Sequence, residues 1–301
     1  MAQNKTCIVI VGPTASGKTA LSLQLAAYFN TDIISADSRQ CYRELNIGVA
    51  KPSTSELNQV KHYFINSHSV QQEVNAGTFE TYALEAAHNI FKTRDIAVIA
   101  GGTGLYVKAF CEGMDLMPDI DENIRNTLRE QYEAYGIDWL QQMVQQQDPV
   151  YYEKGETQNP QRMLRALEVK LSAGSSILEW QMHTKKERPF RIIKIGVQLE
   201  RTEIYGNINK RVDNMMDMGL LDEVKELGIY RNLNALQTVG YTELYTYLDG
   251  NITLEKAVEE IKKNTRHYAK RQLTWFNRDE SIHWRHPGDI SGIIDYINNN
   301  K

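Results

Sequence analysis

Residues Gly12 to Thr19 read GPTASGKT, which fits the pattern G-x-x-x-x-G-K-[ST], and this stretch constrains the fold more than any other. Such a loop works in one setting. An apolar strand delivers the chain to it and a helix opens at its end, so that successive backbone N–H groups and the helix N-terminus converge on an anion. Both flanks are present: TCIVIV, Thr6 to Val11, precedes the loop, and Lys18 to Phe29 has helical spacing. Further along, DIISA (32–36) and DIAVIA (95–100) read as strands, while FETYALEAAHNIF (79–91) and GLYVKAF (104–110) read as helices. This alternation predicts an α/β fold, a P-loop NTPase-like core whose parallel sheet is flanked by helices and whose ligands sit beyond the carboxyl ends of the strands. Three segments fall at such ends: GPTASGKT, ADSRQ and GGTG.

After Gly113 the pattern changes. Up to about Arg188 the chain is rich in Gln, Glu and Tyr, keeps helical spacing and lacks β-branched runs, which predicts an all-helical insertion. IIKIGVQL (192–199) then resumes the strand pattern and returns to the sheet. The expected division is a core of 1–115 and 190–301 with an insertion of 116–189, reasonable for 301 residues. The last long helix, Thr253 to about Arg278, carries seven Lys or Arg against three acidic residues from Leu254 onward, in a chain of net charge −4. That overall charge argues against coating nucleic acid by bulk attraction, so any such contact is local. Ile261, Tyr268 and Trp275 are expected to form its packed stripe, leaving Lys263, Arg266, Lys270 and Arg271 on adjoining faces. Those charges are either a solvated face or a nucleic-acid contact.

The amino-terminal apolar run is too short for a membrane span or a secretory core, and reads as a buried strand. Cys7, Cys41 and Cys111 are widely spaced and suggest small buried side chains in a reducing cytoplasm.

The chemistry starts from the loop. Gly12, Pro13, Thr14, Ala15, Ser16, Gly17, Lys18 and Thr19 would surround a phosphate group, with Lys18 on the outer oxygens and the Thr19 hydroxyl on Mg²⁺. A conventional phosphohydrolase also places an acid at the end of a second strand, but DIAVIA runs straight into GGTG. Asp37, after DIISA, is the nearest alternative: a helix cap, an outer ligand of the metal, or a group that accepts a proton from substrate.

Taken together, GPTASGKT, ISADSRQCYRELNIGVAKP, AGGTGLYVKAFCEG, NPQRMLRALEV, QTVGYTEL and TRHYAKRQLTWF resemble the tRNA dimethylallyltransferases, or tRNA isopentenyltransferases, in order from residue 12 to 276. The resemblance implies that the loop holds the diphosphate of dimethylallyl diphosphate. The acceptor it implies is the exocyclic N6 amine of the adenosine 3′-adjacent to the anticodon in tRNA. By the same similarity Asp37 is the general base, Arg211 in NKRVD assists Lys18 at the diphosphate, and Thr14 and Thr103 line the channel where isoprenoid and adenine meet. Ser38, Arg39, Gln40, Arg125, Gln158, Asn159, Pro160, Gln161 and Arg162 would touch the tRNA together with Asp37 and Thr103, and the insertion would clasp the anticodon stem-loop. The resemblance also implies Mg²⁺ and a monomer. The chain departs from the common pattern at Arg39, Cys41, Tyr63 and Asn66, and it carries no Cys/His zinc-finger pattern, which points to a bacterial-type enzyme. Two other readings of the loop are a small-molecule or nucleotide kinase using ATP, and an RNA-binding protein with a vestigial phosphate site.

Overall fold

The apolar run Thr6–Val11 becomes β1, every residue of which is buried, because strands of a parallel sheet are covered on both faces. The computed structural model describes residues 5–182 and 184–301. From the amino terminus the elements are β1, α1 (Lys18–Tyr28), β2 (Ile33–Ser35), α2 (Thr54–Gln59), β3 (His62–Tyr63), α3 (Ala76–Phe91), β4 (Ile96–Gly101) and α4 (Gly104–Glu112). Four helices follow: α5 (Glu122–Gln147), α6 (Pro149–Lys154), α7 (Pro160–Ala173) and α8 (Ile177–Trp180). The remainder is β5 (Arg191–Val197), α9 (Arg201–Asp217), α10 (Leu220–Glu226), α11 (Tyr241–Leu248), α12 (Leu254–Phe276), β6 (Ile282–Arg285) and α13 (Ile290–Asn300).

The strands form one parallel sheet in the order β3-β2-β4-β1-β5-β6. Ile8 and Ile10 of β1 pack with Leu21 and Leu25 of α1 and Ile293 and Ile297 of α13. By contact the chain divides into two compact units, 1–112 with 187–301, and 113–186. The second unit has its own apolar core, including Leu128, Leu140, Val144, Met163 and Leu167. Its described residues contain helices and no strand, and α5 is broken at Gly136, whose φ of 75° is non-helical.

Where the chain leaves and re-enters the first unit, Arg188 is buried, pairs with Glu80 at 2.8 Å and donates to the carbonyls of Ala109 and Phe110, each at 2.7 Å. Those carbonyls belong to the last turn of α4, which has no following turn to satisfy them.

β1, β2 and β4 end together, and a glycine sets how closely. A Cβ on Gly101 would fall 2.1 Å from the carbonyl oxygen of Ala36, at the end of β2. The backbone there is tightly sewn: Ala36 N–H donates to Ala100 O at 2.8 Å and Thr103 N–H to Ala36 O at 3.2 Å. Gly101→Ala must push the segment carrying Asp37 outward. We expect a loss of about 1–3 kcal/mol by thermal unfolding, typical of overpacking against a rigid neighbour.

The packed stripe expected on α12 is corrected. Ile261 is buried, but Trp275 is 37% exposed, and the buried positions are Ala257, Ile261, Ala269, Gln272 and Phe276. Trp275 shares the azimuth of buried Ala257, five turns earlier, but its indole lies over Gly104 at the margin of the packed face, where a Cβ on that glycine would fall 2.2 Å from the ring.

Candidate active site

The phosphate-type loop joins β1 to α1, with Gly17 at φ 92° as the residue before the helix. Ala15 also lies in the left-handed region, at φ 62°, a strained setting for a residue with a side chain. The Ser16 hydroxyl is buried and has no hydrogen-bond partner among the described residues. Lys18 donates to the carbonyl of Pro13 at 2.6 Å, and Arg211, from α9, donates to the Thr14 hydroxyl at 3.2 Å. Burial, and after it the positive charge of Arg211, lower the Lys18 ammonium to about 7, with the Asp37 carboxylate opposing both. Burial likewise lowers Arg211, against the pull of Asp37. Lys18, Arg211 and Asp37 thus share one electrostatic site.

Asp37 follows β2 and uses one carboxylate oxygen as a local acceptor: Oδ1 takes the N–H of Arg39 at 2.8 Å and of Gln40 at 3.2 Å. Both bonds fall on that oxygen, so turn-capping does not consume Oδ2. The cap expected of Asp37 closes a turn rather than a helix, and it is compatible with a role of the carboxylate toward a proton or a metal. Beside it, the Thr103 hydroxyl accepts the Ser38 N–H at 3.1 Å. Arg39 donates to the Asn234 side chain at 3.1 Å. Gln40 is turned toward its own loop, donating to Val49 O and Ala50 O at 3.3 and 3.1 Å and accepting from Ser35 at 3.2 Å.

Gly12 to Thr19, Asp37 to Gln40, Thr103 and Arg211 therefore belong to the first compact unit, gathered around the strand ends and α9. Arg125 and Gln158 to Arg162 belong to the second. Arg125 lies 3.7 Å from Glu168, which also meets Arg165 at 3.2 Å. Asn159 caps α7 by accepting the Arg162 N–H, and Pro160 opens that helix, where its missing N–H is harmless. Gln158, Gln161 and Arg162 are exposed.

Sequence reasoning missed three side chains. Gln272 of α12 accepts the Thr14 N–H at 2.7 Å and donates to Gly102 O at 2.9 Å. Tyr268, one turn earlier and expected from the sequence only as packing, faces Thr103 and Gln272; burial raises its phenol, and those two side chains oppose the rise. Glu223 of α10 accepts the N–H groups of Asn46, Ile47 and Gly48 at 3.1, 2.8 and 3.0 Å, and the Tyr241 hydroxyl at 2.6 Å. Burial raises the Tyr241 phenol and Glu223 adds to it, so the phenol stays protonated as the donor. The only available signal was a polar residue on an otherwise apolar helical face, at Gln272. Glu223→Ala removes the common acceptor of four donors, and we expect it to destabilise the protein by about 2 kcal/mol in denaturant titration, since unmet buried donors carry a desolvation penalty.

The sequence profile of the family described as IPP transferase matches residues 40–279. The chain belongs to the IPP transferase family. The relatives of this IPP transferase extend through the phosphate-type loop, which the profile itself does not reach. It is 44% identical over 294 residues to the tRNA dimethylallyltransferase of Cytophaga hutchinsonii, covering 98% of this chain and 97% of that protein. It is 44% identical over 292 residues to tRNA dimethylallyltransferase 1 of Bacteroides thetaiotaomicron, covering 97% and 95%. Among solved structures it resembles the tRNA isopentenylpyrophosphate transferase of Bacillus halodurans, with a TM-score of 0.73, 35% identity and coverage of 98% of this chain and 96% of that one. A eukaryotic dimethylallyltransferase acting on tRNA gives a TM-score of 0.77 at 26% identity, over 95% of this chain and 75% of that one.

Proposed function

We propose that this enzyme transfers the dimethylallyl group of dimethylallyl diphosphate to the exocyclic N6 amine of the adenosine 3′-adjacent to the anticodon in tRNA, releasing diphosphate. One observation carries the reading: Lys18 and Arg211 beside the loop act on the same site as Asp37, in a chain whose relatives are tRNA dimethylallyltransferases.

In this reaction the allylic C–O bond breaks and the N6–C bond forms. Negative charge accumulates on the departing diphosphate, where Lys18, Arg211 and the loop N–H groups stabilise it. Arg211 has a planar fork suited to two phosphate oxygens. The adenine amine is a weak nucleophile, and Asp37 takes its proton as the new bond forms. An adenine stacked in a loop must be turned out to reach such a site. Thr103, beside Asp37, and Thr14, in the loop, would line its approach.

Mg²⁺ fits the donor set. The described residues contain no group of three His, Cys, Asp or Glu able to hold a metal, whereas Thr19 is exposed in the first turn of α1. Mg²⁺ is commonly bound through few protein oxygens and several substrate phosphate oxygens. Thr19 would hold it, and the ion would supply further neutralisation of the diphosphate. The orphaned Ser16 hydroxyl fits the same site, since a buried hydroxyl seeks a polar partner.

Arg125 on α5, with Gln158, Gln161 and Arg162 at the start of α7, would supply charge and amides for the tRNA on the helical unit, and Asn159 and Pro160 shape the turn that presents the last three. We place the enzyme in the cytoplasm as a monomer. Three free buried cysteines suit a reducing compartment, and no helix among the described residues is long and apolar enough to cross a membrane.

The test is mass spectrometry of nucleosides from tRNA incubated with the protein, Mg²⁺ and dimethylallyl diphosphate. The expected product is N6-dimethylallyl adenosine next to the anticodon. Phosphorylated product made from ATP, or tight tRNA binding with no modified nucleoside, would overturn the proposal.

A further inference from the structure

We propose that Gln272 is a positioning residue that holds the diphosphate loop at a fixed distance from the Asp37 segment, an inference that rests on the function proposed above. The β1–β4 ladder ends at the pair Val11 and Gly101. Beyond it the loop after β1 and the loop after β4 are joined by the Gln272 amide, which accepts from Thr14 N–H at 2.7 Å and donates to Gly102 O at 2.9 Å. The connection continues to the acceptor side. The Tyr268 phenol faces both Gln272 and Thr103, and Thr103 takes the N–H of Ser38, the neighbour of Asp37.

Three features favour a purpose-built brace over incidental packing. Gln272 is only 6% exposed although it lies on a helix whose other buried residues are apolar. A Cβ at Gly102 would fall 2.2 Å from the Gln272 amide nitrogen, so that glycine admits the amide. The Thr14 N–H, which sits in the loop, is committed to the Gln272 side chain. The brace needs one donor and one acceptor on a single side chain. An ionised carboxylate of equal length accepts from Thr14 but has nothing to donate to Gly102, whereas a protonated carboxyl group can do both.

Transfer depends on the spacing between leaving group and acceptor, and misplacement by about 1 Å can lower a rate on the order of 10²-fold. Loss of the brace therefore acts on kcat more than on binding. The experiment compares Gln272→Glu, Gln272→Leu and wild type in steady-state transfer to an anticodon stem-loop, with Mg²⁺ and dimethylallyl diphosphate, from pH 6 to 8. At pH 8 both variants should lose roughly tenfold or more in kcat, with each KM within about threefold. For Gln272→Glu the deficit relative to wild type should shrink as pH falls and the carboxyl takes up its proton; for Gln272→Leu it should not. Gly102→Ala, which displaces the amide while leaving Gln272 in place, should reproduce the kcat loss and serves if the Gln272 variants do not fold. A Gln272→Glu deficit independent of pH, a loss confined to KM, or wild-type-like kcat in Gly102→Ala would overturn the proposal. Wild type that makes no product refutes the proposed function instead.

Discussion

Asp37→Asn is expected to lower kcat for prenyl transfer by about 10²- to 10⁴-fold, the usual contribution of a general base. The substitution separates the two roles of this residue. An asparagine oxygen still accepts the Arg39 and Gln40 N–H groups that Asp37 Oδ1 accepts at 2.8 and 3.2 Å, so the turn after β2 survives and the melting temperature should stay close to wild type. What is lost is the ability to take the amine proton and the negative charge facing Lys18 and Arg211. Asp37→Ala should lose both the turn and the chemistry, and melt lower. Asparagine activity within twofold of wild type would exclude Asp37 as the base. Isoprenoid diphosphate binding, measured by calorimetry, should persist in the Asn variant, because the like charge removed from the site repels the anion.

Lys18→Ala should reduce kcat by about 10²- to 10³-fold, since it removes a donor aimed at charge that grows in the transition state. The wild-type lysine also predicts a pH dependence. Its ammonium is lowered to about 7, first by burial and then by Arg211. Below that pH it is already charged and receives the anion directly. Above it the side chain is mostly neutral, and binding must recover a proton, so diphosphate affinity should fall as pH rises through 7. At pH 8 binding should take up about one proton, by linkage between protonation and ligand. Calorimetry in buffers of different ionisation heat measures this number, and Lys18→Ala should abolish the uptake. Equal proton uptake in the variant would assign it elsewhere.

The parts of the molecule legible in its sequence are those with a local signature. β1 and β4 are apolar runs buried from end to end or nearly so, β5 is buried over its last three residues, and the glycine-lysine loop announces its own strand and helix. β3, two residues long, and β6, beginning at Ile282, carry too little pattern to stand out. At the site, Lys18 and Thr19 follow from loop spacing, whereas Asp37 and Arg211 meet only because β2 and α9 converge in space. Resemblance to a family supplied what spacing did not. Gln272 and Glu223 escaped because their partners are backbone groups far along the chain, of which no residue type gives notice. Trp275 misled for the opposite reason: a seven-residue repeat resembles a packing stripe, but this indole packs over Gly104 at the edge of the buried face and stays 37% exposed.

The clasp made by Arg188 has a bearing on how such a molecule arose and how it can be rebuilt. Its guanidinium reaches the carbonyls of Ala109 and Phe110, each at 2.7 Å, so the outgoing and incoming segments are stitched together within the first unit. All six strands of the sheet belong to the first unit, and the helical residues 113–186 are inserted in the chain between the two stitched segments. A short linker between the two segments would close the backbone, and helical cassettes of other lengths could be exchanged at the same seam while the sheet order stayed untouched.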